Sequence, residues 1–169
     1  IEPNSPELQH VTLLQGAKAY GTHLGRYPIP ARETAPRHFP PNFYYHQEDY
    51  LKERQAGKNW TWTIIRPPLV VGFATRSSMN ILTSIAAYAA ICKEMGLPFR
   101  FPGTNLTHIA QAVDNRLLGR AIYWAATNPS CANQIFNITN GDCYTWEPLW
   151  LRFAEFFGVE YAPPQPISL

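Results

Sequence analysis

Short β-branched and aromatic runs alternate along this chain with longer stretches that start and stop like helices. No other feature restricts the fold more. The runs are "HVTLL" (10–14), "TWTII" (61–65), "FRF" (99–101) and "QIFNIT" (134–139). Segments of this composition and length read as strands. One helix is predicted from Asn42 to about Ala56, with Asn42 as cap and Gly57 as stop. Others are predicted over 79–95 before Gly96, over 114–127 behind Asp114, and from Thr145 to Phe157 before Gly158. Alternating strands and helices predict an α/β fold with a mostly parallel sheet, because parallel neighbours need long crossovers. About four strands are visible, fewer than the five or six of an average sheet. The chain therefore reads either as a small α/β protein or as the later part of a longer one.

Residues 15–41 interrupt the pattern. Pro28, Pro30, Pro36, Pro40 and Pro41 fall in this stretch, which excludes a regular helix or a central strand. A loop of that length inside a compact domain is expected to be functional or disordered. The C-terminal "APPQP" is expected to be extended.

Composition removes several function classes. The 169 residues fit one domain, are 46% hydrophobic and 15% charged, and carry a net charge of +2 with no basic block. That describes a globular chain without the electrostatic footprint of nucleic-acid binding. Cys92, Cys131 and Cys143 are odd in number and form no CxxC, so neither a disulfide framework nor a thiolate zinc site is expected. A reducing cytosol is the simplest compartment. "IEPNSPELQH" has no basic n-region and no apolar h-region. The most apolar segment, "MNILTSIAAYAAIC", is too short to cross a bilayer. "NWT", "NLT" and "NIT" match the glycosylation pattern but carry little weight in a cytosolic protein. Histidines 23, 38, 46 and 108 have no second ligand at metal spacing.

An α/β sheet often binds dinucleotides, yet these residues contain no GxGxxG and no GxxxxGK[ST]. "NFYYHQED", at the predicted helix start, reads either as a packed aromatic pair or as a stretch in which one tyrosine hydroxyl does chemistry. A tyrosine followed four residues later by a lysine would put a cation one turn away. Four residues after Tyr45 stands Asp49. A close carboxylate opposes phenolate formation, so a cation must come from elsewhere. Lys18, just past the end of the first strand, reads by itself as a solvated loop lysine. Glu48 and Asp49 are expected to favour the helix start rather than to act as acid and base.

Six ordered blocks sharpen this reading: "LLQGAKAYG", "PPNFYYHQEDYL", "WTWTIIRPPLVVGFATRSSMN", "YAAICKEMGLPFRFPG", "FNITNGDCYTWEPLW" and "FAEFFG". Together they resemble the progesterone 5β-reductase/iridoid synthase-like enzymes, of the extended short-chain dehydrogenase/reductase (SDR) type. The resemblance runs from about Leu8 to Val159. It implies the later part of an extended-SDR Rossmann-like parallel sheet with helices, together with part of the substrate-binding region. The Gly-rich βαβ unit of that family precedes the block that begins here at His10. Residues 1–169 are accordingly expected to form a partial SDR domain, with the start and end of the parent enzyme missing.

The resemblance also implies roles. The second tyrosine of its "NFYYxxED" block is catalytic, which gives Tyr45, with Tyr44 left to packing. Its "TGxKHY" lysine matches Lys18, although Gln15 and Ala19 depart from that block. Lys18 and Tyr45 would contact a nicotinamide cofactor, NADPH with NADH as an option. So would Val70 and Val71 through their amides, and Ser78, Met79 and Asn80 at a helix start. Phe73, Met79, Tyr88 and Phe101 would line the substrate site. The implied reaction is reduction of an activated C=C bond: hydride goes to the β-carbon of an enone, and Tyr45 stabilises the enolate. The implied partners are a small enone or carbonyl substrate, with no nucleic acid and no membrane, and a homodimer as an option. Two alternatives stay open. One is another SDR activity, such as carbonyl reduction or sugar epimerase/dehydratase chemistry. The other is a non-catalytic NAD(P)-binding fragment.

Overall fold

A computed structural model describes residues 4–39, 41–75, 77 and 80–165. The strands are β1 (His10–Leu14), β2 (Thr61–Arg66), β3 (Leu69–Val71), β4 (Phe99–Arg100), β5 (Ala112–Asp114), β6 (Gln134–Asn137) and β7 (Tyr161–Ala162). The helices are α1 (Phe43–Gln55), α2 (Ile81–Met95), α3 (Asn115–Thr127) and α4 (Trp146–Phe157). The chain divides into two compact units, 1–69 with 113–140 and 70–112 with 141–169. The fold is Rossmann-like α/β.

In the first unit β1, β2 and β6 form a parallel sheet with β2 in the centre. A central parallel strand is covered on both faces and tolerates apolar residues at every position. Thr63, Ile64 and Ile65 accordingly have no exposed surface. Alternation along β2 sends its side chains to two cores. Trp62 and Ile64 pack with Leu51 of α1, while Ile65 packs with Leu118 and Ala125 of α3. Helices thus cover both faces of the sheet.

The second unit packs α2 and α4 around the short parallel pair β4–β7. Its core holds Ile85, Ala89, Cys92, Phe99, Trp150 and Ala154. Phe99 stacks on Trp150 with ring centroids 4.5 Å apart, and Phe101 meets the same indole edge-on at 5.1 Å. Cys92 behaves as a small buried hydrophobe.

The helix caps follow the sequence reading. Asn42, Asn80 and Asp114 each accept a hydrogen bond from the backbone N–H two residues on. Thr145 does not. It occupies the cap position of α4 without a side-chain cap bond, because the Leu106 carbonyl already takes the Glu147 N–H at 3.1 Å.

The described residues of 15–41 are neither uniformly irregular nor unanchored. They open with a one-turn 3₁₀ helix, Ala17–Tyr20, which Gly21 ends at φ +79°. The rest of the stretch is tied to the end of β6. The Asn137 side chain accepts from the Tyr20 hydroxyl at 2.7 Å and donates to the Ala31 carbonyl, and the Glu33 carboxylate accepts from the Asn137 N–H. That capture coincides with the end of β6 at Asn137, two residues before the predicted 139. Strands β3, β5 and β7 escaped prediction: runs of two or three residues carry little periodicity, and the equally short β4 was read only because Pro102-Gly103 closes its run. No helix among the described residues is long and apolar enough to cross a membrane.

The position of β2 sets the largest expected core penalty. Ile64→Ala and Ile65→Ala are each expected to cost about 2–5 kcal/mol, read as a lower urea midpoint at unchanged slope.

Candidate active site

The first unit brings Tyr45 and the loop of Lys18 together. Strand β1 ends at Leu14, and the Gln15 N–H continues the ladder to the Ile65 carbonyl at 2.9 Å. Gly16 then leads into the 3₁₀ turn that carries Lys18. Position 16 is closely approached: an added Cβ would lie 3.3 Å from the Tyr44 hydroxyl, which would have to shift by a few tenths of an ångström. Lys18 is exposed, and no ion pair to it is found among the described residues. The Asn42 side chain is buried and donates to the Lys18 carbonyl at 2.9 Å, so the N-cap of α1 also fixes the lysine loop.

Tyr45 lies on the first turn of α1 and is 6% exposed. Its hydroxyl donates to the Ala19 carbonyl at 2.8 Å and accepts from the His38 N–H at 2.6 Å. Tyr44 is half-buried against Phe43, and burial pushes its phenol pKa above the usual value.

The acids near Tyr45 do not serve the helix start. Asp49 points into solvent and is held by the Arg37 guanidinium, with one arm of the fork at 2.9 Å. This hydrogen bond draws the Asp49 carboxyl below the ordinary carboxylate range. The Arg37 guanidinium also lies over the Tyr45 ring, 5.0 Å from its centroid. A cation therefore accompanies the carboxylate that replaces the expected lysine.

Glu48 is buried at 4% exposure. It accepts from Arg66 at 3.0 Å on one oxygen and from Lys52 at 2.6 Å on the other. Arg66, also buried, donates a second bond to the Gln15 side chain at 3.0 Å, and Gln15 donates onward to the Tyr44 carbonyl. Glu48, Arg66 and Gln15 thus connect α1, β2 and the lysine loop. Reading Glu48 as a helix-start acid is corrected: a carboxylate buried beside a guanidinium is an ion-pair member first. The sequence held one hint, the Glu48–Lys52 spacing of one turn. Nothing in it linked Arg37 to Asp49 or His38 to Tyr45.

The other expected contacts belong to the second unit. Val70 and Val71 lie in β3. The Asn80 amide is committed, accepting from the Leu82 N–H and donating to the Gly72 carbonyl. Ser78 and Met79 fall outside the described residues. Phe73 is 85% exposed. Tyr88 and Phe101 line a cavity of ≈ 300 Å³ with Ile81, Ile85, Trp146 and Trp150. Burial raises the Tyr88 phenol pKa above its usual value.

Residues 1–166 match the family described as PRISE-like Rossmann-fold domain. The chain belongs to that family. A short chain dehydrogenase, gsfE, of Penicillium aethiopicum is 39% identical over 95% of this chain and 44% of its own length. An (S)-8-oxocitronellyl enol synthase of Catharanthus roseus is 39% identical over 95% of this chain and 43% of its own. The chain thus spans less than half the length of these relatives. Among solved structures, RMD from Pseudomonas aeruginosa, complexed with NADPH, superposes with a TM-score of 0.73 at 16% identity. It is matched over 98% of this chain and 56% of that one. A UDP-glucose 4-epimerase of Thermus thermophilus, complexed with NAD, gives 0.63 at 22% identity over 95% and 53%. At such identities the structural likeness speaks for the fold alone.

Two outcomes are expected here. Glu48→Ala leaves Arg66 buried without its charge partner and is expected to cost about 3–5 kcal/mol, read as a fall in Tm. The fork of Arg37 on Asp49 gives a pH signature. A carboxyl with a lowered folded pKa contributes stability above its unfolded pKa and loses it as pH falls through the folded value. The small difference in urea midpoint between the protein and Asp49→Asn is therefore expected near neutrality. It should vanish on acidification below the ordinary carboxylate range.

Proposed function

We propose that these residues carry the tyrosine–lysine centre of an NAD(P)H-dependent reductase of activated C=C bonds, with NADPH as the preferred cofactor. The observation that carries this reading is the hydrogen bond from the Tyr45 hydroxyl to the carbonyl of Ala19, the residue next to Lys18. It ties the phenol to the lysine loop, while the position one turn along its own helix holds an acid committed to Arg37. Family membership supports the same reading, as does similarity to (S)-8-oxocitronellyl enol synthases. An enol or enolate is what hydride addition to the β-carbon of an enone or enal produces.

The residues present fit the nicotinamide end of a dinucleotide. Lys18 offers an exposed ammonium at the carboxyl end of β1, and the tight approach at Gly16 leaves that turn free of side-chain bulk. Lys18 would hold ribose hydroxyls, with Tyr45 beside it. By resemblance alone, Val70, Val71, Ser78, Met79 and Asn80 are proposed as further cofactor contacts. When bound, the cofactor supplies hydride. Every other contribution belongs to the chain. As the β-carbon is reduced, negative charge develops on the substrate carbonyl oxygen. Tyr45 turns its donation from the Ala19 carbonyl to that oxygen and stabilises the enolate. The ammonium of Lys18 and the guanidinium of Arg37 favour the anionic arrangement. By resemblance alone, Phe73, Tyr88 and Phe101 are proposed as contacts of the apolar part of the substrate.

The protein expressed from its complete reading frame is expected to oxidise NADPH in the presence of a small enone such as cyclohex-2-enone. Removing one hydrogen-bond donor to a developing oxyanion typically lowers kcat about 10²–10³-fold, and that loss is expected for Tyr45→Phe. Equal rates for the two proteins would remove Tyr45 from the mechanism.

A further inference from the structure

One dipeptide holds both the ring and the hydroxyl of Tyr45. The Arg37 guanidinium lies over the ring, and the His38 N–H donates into the oxygen at 2.6 Å. Each half of the dipeptide is anchored separately. Arg37 forks onto Asp49 and reaches Glu48 at 3.6 Å. The imidazole of His38 packs so closely on Gly21 that a β-carbon there would lie 2.4 Å from a ring carbon. Gly21 closes the 3₁₀ turn of Lys18. Through these contacts the dipeptide spans the two segments that supply the tyrosine and the lysine.

A tyrosine oxygen has one proton to give and lone pairs to accept with. The proton is engaged by Ala19, a bond that a substrate oxygen can take over. The His38 amide occupies the acceptor side, and a backbone N–H cannot leave without moving its loop. A hydrogen bond donated into an oxygen polarises the O–H on the same atom and strengthens what it donates. We infer, resting on the reading of Tyr45 above, that Arg37 and His38 form a positioning clamp that keeps the Tyr45 oxygen in place while its hydrogen bond switches from the Ala19 carbonyl to the substrate oxygen. Asp49 gains a purpose in this arrangement. Where a lysine would deliver a cation along the helix, the acid recruits Arg37 from the loop.

A double-mutant cycle on the protein from its complete reading frame, assayed with NADPH and cyclohex-2-enone, tests the clamp. Small misplacements of a reacting group cost one or two orders of magnitude in rate. Arg37→Gln is expected to lower kcat about tenfold or more with KM little changed, and to have no further effect in a Tyr45→Phe background. Asp49→Asn opens the same fork from its exposed side and should act in the same direction, which covers the case of an unfolded Arg37→Gln. A second readout needs no turnover. In protein labelled with 3-fluorotyrosine, the ¹⁹F resonance lost in Tyr45→Phe should shift when either fork variant is made. Three results would overturn the clamp: an equal effect of the fork variants in both backgrounds, no effect on kcat while Tyr45→Phe is impaired, or an unmoved Tyr45 resonance. If Tyr45→Phe turns over like the unaltered protein, the assignment of Tyr45 falls first and the clamp with it.

Discussion

The buried pair of Glu48 and Arg66 holds the first unit together where its three functional segments meet. Glu48 belongs to α1, Arg66 ends β2, and Gln15 opens the lysine loop. Desolvating two charges is costly, and the cost is met only when the remaining donors and acceptors are also satisfied. Here Lys52 takes the second carboxylate oxygen, and Gln15 takes the guanidinium Nε. The Arg66 guanidinium also covers the Tyr20 ring at 5.1 Å. Tyr20 in turn bonds Asn137 at the end of β6. The pair therefore fixes the rotation of α1 on the sheet, and with it the side to which Tyr45 points.

This network gives Gln15 a physical role. Where the family block has threonine, this chain has a longer amide that bridges Arg66 and the Tyr44 carbonyl. Ala19, in place of histidine, contributes its backbone carbonyl, which accepts a hydrogen bond from the Tyr45 hydroxyl. Both departures leave the relation between Lys18 and Tyr45 to main-chain geometry.

Much of the fold was legible because it is local. Asn42, Asn80 and Asp114 announce helix starts through an oxygen that reaches two residues on, and Gly96 and Gly158 announce stops through positive φ. The parallel sheet followed from alternation and composition. The site was legible only in part. Tyr45 and Lys18 came from a motif, whereas Arg37 and His38 act through contacts that no periodicity encodes. Arg37 precedes Asp49 across an irregular, proline-rich stretch, and His38 contributes only its backbone N–H to Tyr45. A main-chain donor leaves no trace in residue identity. The Thr145 cap failed for a related reason: a carbonyl far along the chain reached the helix end first.

Asn137 carries a consequence for chemical modification. It heads the sequon "NIT", one of three in the chain, yet its amide is the knot that fastens the long loop to β6. A glycan on that nitrogen would displace the Ala31 carbonyl and crowd the Tyr20 hydroxyl. The half-buried amide offers no room for the sugar while the loop is seated. Asn59 and Asn105, which head the other two sequons, are exposed. Attachment at Asn137 would thus mark chains modified before the loop closed over β6, a chemical record of the order in which this part of the molecule was assembled.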